Sequence, residues 1–272
     1  LASSMGLDWL AIEVDWARHW PALDQPADFS RLDYALQAAR QKQISVMLSL
    51  TNAPAWAMTA NGPEPGFTNA LLQSILNVYA DIIQAVELFP GVNTTAGWGT
   101  APNPQAYLTM LQTVRQGCDA AGRGNVLVTS LAPLFSENSA GSMSDRAFLE
   151  NLYALGAMAY IPIIGIHYPD VMGAPMSDQS ERFPLVLRHY EDIRALMLYY
   201  QHIGGMIWIT SFTWPTTGTA DPSDPLILPA TPAHQAQWIN QAFKLLQAQL
   251  FIGTGFFSNL NDETLSPTTP VL

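Results

Sequence analysis

Aromatic side chains recur just past the apolar runs of this chain. Trp16 and Trp20 follow WLAIEV, Trp56 follows ISVMLSL, and Trp98 follows AVELF. His167 ends IIGIH and Tyr168 comes next, while Trp214 follows GMIWIT. Flat rings gathered at one mouth suit sugars, which stack their apolar faces on aromatic planes and offer hydroxyls to groups such as Asn93, His167 and Tyr168. The competing reading is loop packing, because Trp is highly buried on average. Acids are scarcer at these places. Asp15 follows the first run, Asp170 follows IIGIH, and Glu87 lies inside AVELF. Asp15 and Asp170 can face a cleft, or Asp15 can cap the next turn and Asp170 can solvate a loop. The run from Ile207 to Ile209 delivers Thr210, Ser211, Phe212, Thr213 and Trp214, an aromatic wall with a serine and no carboxylate.

Other chemistries find little support. The His residues are scattered, with no His-x-x-x-His or carboxylate pair at ligand spacing, so no metal site is expected. No glycine-rich phosphate loop follows the first run, and no cofactor is expected. Cys118, the single cysteine, lies in a helical stretch without a nearby His and reads as a buried, inert thiol.

The elements that position these residues alternate from end to end. Strand signals lie at Trp9–Val14, Ile44–Leu50, Ala85–Phe89, Asn125–Ser130, Ile163–His167, Gly205–Thr210 and Ile252–Phe257. Helical periodicity fills the intervals, as in NPQAYLTMLQTVRQGCDAAG, which has Pro104 near its start and Gly122 at its end. ISVMLSL is almost continuously apolar, as a parallel strand buried on both faces should be. This order predicts an α/β fold, a single (β/α)8 TIM barrel, with a weak strand around residues 78–83 making up the count. The Pro- and Gly-rich loops follow the strand C-terminal ends, the face on which barrels build their sites. We read residues 1–262 as the barrel and 263–272 as a Pro/Thr-rich tail.

Composition narrows the partners. Charged residues are 12% of the 272, against a usual figure of about 25%. Lysine is confined to Lys42 and Lys244. The formal net charge of −11 argues against nucleic acid, since little here could neutralise a phosphate backbone. No run of about 18 apolar residues is present to span a membrane, and no signal peptide is visible. The chain starts on Leu1 and closes on ETLSPTTPVL, so a processed or longer parent is expected. The sparse charge reads either as a secreted protein with a lightly charged coat or as a surface buried against partners.

At these residues the chain resembles the (β/α)8 glycoside hydrolases of the two-glutamate clan, nearest the β-xylosidase and cellulase-like branch. GLDWLAIEVDW, LDYALQAARQKQISVMLSLTNAPAWA, PNPQAYLTMLQTVRQGCDAAGRGNVLVTSLAP and AFLENLYALGAMAYIPIIGIHYP carry the resemblance over nearly the whole chain. The family's acid/base lies in a segment of the form Glu-Ile-Trp-Asn-Glu-Pro-Asn. Here that segment reads Glu87-Leu88-Phe89-Pro90-Gly91-Val92-Asn93, so Gly91 stands at the acid and Asn93 is kept. The nucleophile's segment, Thr-Glu-Phe-Gly-Trp, reads Thr210-Ser211-Phe212-Thr213-Trp214, so Ser211 stands at the nucleophile.

Retaining hydrolysis needs two carboxyls about 5–5.5 Å apart. Glycine has no proton to give, and a serine hydroxyl is a poor nucleophile without an adjacent base. Glu87 sits ~13 Å further down the strand from Gly91, so it is expected inside the barrel and held by hydrogen bonds. The resemblance therefore implies a catalytically degenerate barrel whose catalytic positions Gly91 and Ser211 are vestigial. Its sugar-contacting candidates are Trp16, Trp56, Asn93, Trp98, His167, Tyr168 and Trp214. It would serve as a binding or structural subunit outside the cytoplasm, with protein partners or carbohydrate as ligands. The rival readings are an active glycosidase using Asp15 and Asp170, and a carbohydrate-binding module with an aromatic cleft.

Overall fold

The computed structural model describes residues 6–122, 124, 126–134, 141–177, 185–214, 216 and 230–258. Its strands, in chain order, are β1 (Trp9–Asp15), β2 (Ser45–Thr51), β3 (Met58–Thr59), β4 (Gly62–Pro63), β5 (Ile83–Leu88), β6 (Val126–Leu131), β7 (Ile163–His167), β8 (Met206–Phe212) and β9 (Ile252–Phe257). β3 and β4 pair as a short antiparallel ribbon, and the other seven form one parallel sheet in sequence order. The helices are α1 (Trp16–His19), α2 (Ser30–Gln41), α3 (Pro65–Tyr79), α4 (Thr95–Trp98), α5 (Pro104–Ala120), α6 (Asp145–Ala154), α7 (Tyr190–Tyr199) and α8 (Pro232–Gln247).

Local chemistry starts and stops these helices. At α3 the Glu64 side chain accepts from Phe67 N–H and Pro65 occupies the first turn, where its missing donor costs nothing. At α5 Asn103 accepts from Ala106 N–H, and Gly122 beyond the end takes a left-handed φ of 65°. The apolar stripe of α3, Leu71, Leu72, Ile75, Leu76 and Tyr79, faces the sheet and is buried. Full burial of each such side chain is worth roughly 1.5–3 kcal/mol.

Alternation along the strands then divides the core in two. Val14, Leu48, Val86, Ile164 and Ile209 point outward into the helix layer. Met47, Ala85, Val128, Ile163, Trp208 and Phe256 point inward and pack on one another, with Trp9, Val126 and Met206 against them. Trp9 on the first strand meets Trp208 at 5.2 Å and Phe256 at 6.4 Å between ring centroids. The sheet is therefore curled until its ends meet, and the fold is an α/β barrel.

Two details depart from the expectation. Among the described residues the sheet has seven strands, not eight. The strand expected over residues 78–83 does not form, because Val78 and Tyr79 complete the last turn of α3 and Ile83 opens β5. Tyr79 extends the helical stripe of Ile75 and Leu76, and that 3.6-residue period outweighs β propensity in so short a run. β1 and β9 share no ladder. A cavity of about 400 Å³ opens along their seam, lined by Leu7, Trp9, Gly253 and Thr254. Ala11 and Glu13, on the inner side of β1 by alternation, are exposed. The boundary at 262 and the tail at 263–272 lie outside the described residues. No helix among the described residues is long and apolar enough to cross a membrane.

Candidate functional site

Above the apolar layer, toward the strand C-terminal ends, the barrel interior turns polar. Register places Glu13 beside Ser49 and Ser49 beside Glu87 on three neighbouring strands. Ser49 donates to Glu87 Oε2 at 2.5 Å, and Thr51 donates to Glu13 Oε1 at 2.9 Å. On the other side of the barrel, Ser130 Oγ and Thr210 Oγ1 are 2.7 Å apart. They meet over Gly165 of the intervening strand, where a Cβ would stand 2.7 Å from Ser130 Oγ. His167 closes the group, with Nδ1 3.4 Å from Thr210 Oγ1 and 4.0 Å from Glu87 Oε1. Glu87 is 1% exposed, and its Oε1 has no hydrogen-bond partner among the described residues. The sequence did place Glu87 inside. It did not single out Glu13, although the parity of Glu13 with Trp9 and Ala11 was the available signal.

Gly91 and Ser211 occupy the rims of two strands. Past β5 the chain turns through Phe89 at φ 55° and Gly91 at φ 71°, and the N–H groups of Gly91 and Val92 both donate to Ser130 O. Ser211 pairs with His167 across a register slip, since Ile166 still pairs with Ile209. Its hydroxyl is engaged with Ser258 Oγ at 2.6 Å, beyond the end of β9. Asn93 is fully buried and fully used: its amide donates to Ala132 O and Met143 O, and its carbonyl accepts from Ala132 N–H. It ties the β5 and β6 loops together.

The two aspartates go separate ways. Asp15 caps α1, accepting from Arg18 N–H at 3.1 Å and from Asn52 Nδ2 at 2.9 Å. Asp170 is exposed after β7, yet protein packed around it still raises its carboxyl above the ordinary value. No hydrogen bond or ion pair among the described residues joins the two to each other or to Glu87.

Most of the aromatic candidates pack inward. Trp16, Trp98, Tyr168 and Trp214 are buried. Trp98 donates to Asn61 O, Tyr168 to Leu187 O and Trp214 to Gly173 O, each a backbone acceptor. Trp98 also stands edge-on to Phe89 and Tyr107, and Trp214 to Phe212 and Trp238. Trp56 is half-buried between Trp16 and Trp20, and Trp20 is half-buried beside it. Among the candidates, Trp56 and His167 therefore retain accessible ring surface, with Trp20 adjoining. Enclosed Trp98 and Trp214 thus keep a partner for the indole N–H, whereas Trp16 is enclosed with no hydrogen-bond partner for its N–H among the described residues.

No protein-family model matches the chain, and no curated protein sequence matches it. Solved structures do. A beta-glucosidase from Exiguobacterium marinum superposes with a TM-score of 0.62 at 12% identity, over 94% of this chain and 76% of that one. A family 39 glycoside hydrolase from Bacteroides cellulosilyticus gives a TM-score of 0.65 at 12% identity, over 94% of this chain. The match spans about half of that longer protein, 51%. A beta-glucosidase from Thermotoga maritima in complex with deoxynojirimycin gives 0.61 at 12% identity, over 94% of this chain and 74% of that one. At such identities the likeness is one of fold: the chain is an α/β barrel built on the scaffold that these glycoside hydrolases share.

Proposed function

We propose that this barrel is a degenerate relative of the glycoside hydrolases that binds carbohydrate or a protein partner at its mouth and does not hydrolyse glycosides. The observation that carries the reading is the chemistry of the two rims. Gly91 offers no side chain there, and Ser211 spends its hydroxyl on Ser258. The general acid step alone is typically worth roughly 10²–10⁴-fold, and the nucleophilic route needs a second carboxyl nearby. Asp15 is occupied as a helix cap, which weakens the rival in which Asp15 and Asp170 act as a displaced pair. Trp56, Trp20 and His167 supply the remaining surface for a sugar ring.

A panel of aryl β-glycosides tests this. The expected result is release of the aryl group no faster than in buffer. Turnover that survives purification and falls in Glu87→Gln, Asp15→Asn or Asp170→Asn would reverse the reading.

The same proposal places the chain outside the cytoplasm as a subunit of a larger assembly. What supports this is its sparse charge, since interface cores are depleted in Lys, Glu and Asp. The apolar run Leu226, Ile227 and Leu228 in DPSDPLILPATP, which such an interface would use, lies outside the described residues. Light scattering on native material should give a mass well above 29.7 kDa or a co-purifying partner. A monomer at micromolar concentration removes the assembly role and leaves the binding role in place.

A further inference from the structure

We infer that Glu87 and His167 form a positioned pair in which the buried carboxylate holds the imidazole by Nδ1–H, so that the Nε2 lone pair faces the barrel mouth as an acceptor for a ligand hydroxyl. This deepens the carbohydrate reading above and rests on it only for the identity of the donor.

Glu87 is 1% exposed, and Ser49 satisfies Oε2 but leaves Oε1 without a hydrogen-bond partner among the described residues. A buried carboxylate oxygen that lacks a donor is costly. The ring nitrogen beside it is His167 Nδ1, 4.0 Å away, the separation that the proposed pairing must close. Thr210 Oγ1 competes for the same nitrogen at 3.4 Å, but it also lies 2.7 Å from Ser130 Oγ and 3.4 Å from Ile166 O. The hydroxyl proton of Thr210 therefore has other acceptors, whereas Oε1 has no other donor among the described residues. A hydrogen bond to an ionised group is roughly twice as strong as a neutral one, so the carboxylate decides which nitrogen carries the proton.

The tautomer fixes what the outside world sees. The neutral imidazole has one donor nitrogen and one acceptor nitrogen. With Nδ1–H turned inward to Glu87, Nε2 is the acceptor. His167 is 34% exposed at its side chain while Glu87 is 1%, and Nδ1 is the nitrogen beside Thr210 and Glu87, which leaves Nε2 for the accessible part of the ring. A buried carboxylate behind a histidine ring is the usual way of orienting an imidazole and fixing its tautomer. His167 is then the ligand-contacting group, and Glu87 is a positioning residue that acts through it.

Histidine tautomers are read directly by 15N NMR on protein labelled at histidine, with His167 assigned by its loss in His167→Gln. The expected spectrum of the neutral wild-type imidazole shows a protonated Nδ1 and an unprotonated Nε2. In Glu87→Gln, whose fold is checked by circular dichroism, the single tautomer should give way to a mixture. Ser49→Ala, which removes the neighbouring donor but keeps Glu87, should retain it. Wild-type His167 protonated at Nε2, or a tautomer unchanged in Glu87→Gln, overturns the pairing.

Titration with a panel of disaccharides is the second arm. A shift of the His167 Nε2 signal is expected. If the tautomer result holds and no sugar moves that signal, the carbohydrate reading fails while the pairing stands.

Discussion

Removing His189 should lower the unfolding free energy by about 3–5 kcal/mol, the range seen when one partner of a buried ion pair is deleted. The imidazole and Asp145 are each 1% exposed. Nε2 lies 2.5 Å from Asp145 Oδ2 at the start of α6, and Nδ1 lies 3.3 Å from Asp192 Oδ2 in the first turn of α7. The pair thus clamps two helices of the outer layer, and His189→Ala leaves the Asp145 carboxylate buried without its counter-charge. Burial opposes charging of this imidazole, but the hydrogen bonds to Asp145 and Asp192 outweigh it and raise its pKa from 6.5 to about 9.

The pH dependence follows in sign and window. Between pH 6.5 and about 9 the folded protein holds a proton that the unfolded chain has released. The stabilisation is complete below 6.5, declines through that window and is gone above 9. Its size is on the order of 3 kcal/mol, at about 1.4 kcal/mol per pH unit. Urea unfolding at a series of pH values checks this: the wild type should weaken across the window, and His189→Ala should lack that decline. Equal slopes in the two proteins would refute the assignment.

Gly97→Ala should be comparably damaging, at about 3 kcal/mol, the upper part of the range for overpacking a filled site. Gly97 lies in α4 directly against the turn that carries Gly91. A Cβ added there would stand 2.3 Å from Gly91 O and 2.4 Å from Pro90 O. Both obstacles are backbone, and the turn they belong to is anchored by two N–H groups on Ser130 O. Neither a rotamer change nor a flexible side-chain tip can relieve the clash, so the whole rim after β5 must move. Gly124→Ala is the control. It has nothing within 4 Å and no left-handed φ, and it should change stability by no more than about 0.5 kcal/mol. Urea midpoints with unchanged slopes measure both, and a Gly97→Ala variant as stable as the control would show that the rim is loosely held.

Much of the scaffold could be read directly from residue order. The alternation of apolar runs with helical stripes gave the βα repeat. Pro104 and Gly122 marked the two ends of α5, and parity along AVELF turned Glu87 inward. These features depend on neighbours within a few residues, where period and propensity act. What strand and helix signals could not supply was register. The pairing of Glu13, Ser49 and Glu87 spans three strands, and the contact of Ser130 with Thr210 joins residues 80 apart. His189 meets Asp145 across 44 residues. Seven sheet strands rather than eight among the described residues, a seam beside exposed Ala11 and Glu13, and tryptophans folded under their loops are likewise products of closure. An indole after a strand looks the same in the chain whether it lines a cleft or fills a loop. The difference lies in how the loops pack once the barrel has closed, which encloses Trp98 with Asn61 O and Trp214 with Gly173 O but leaves Trp56 half-buried.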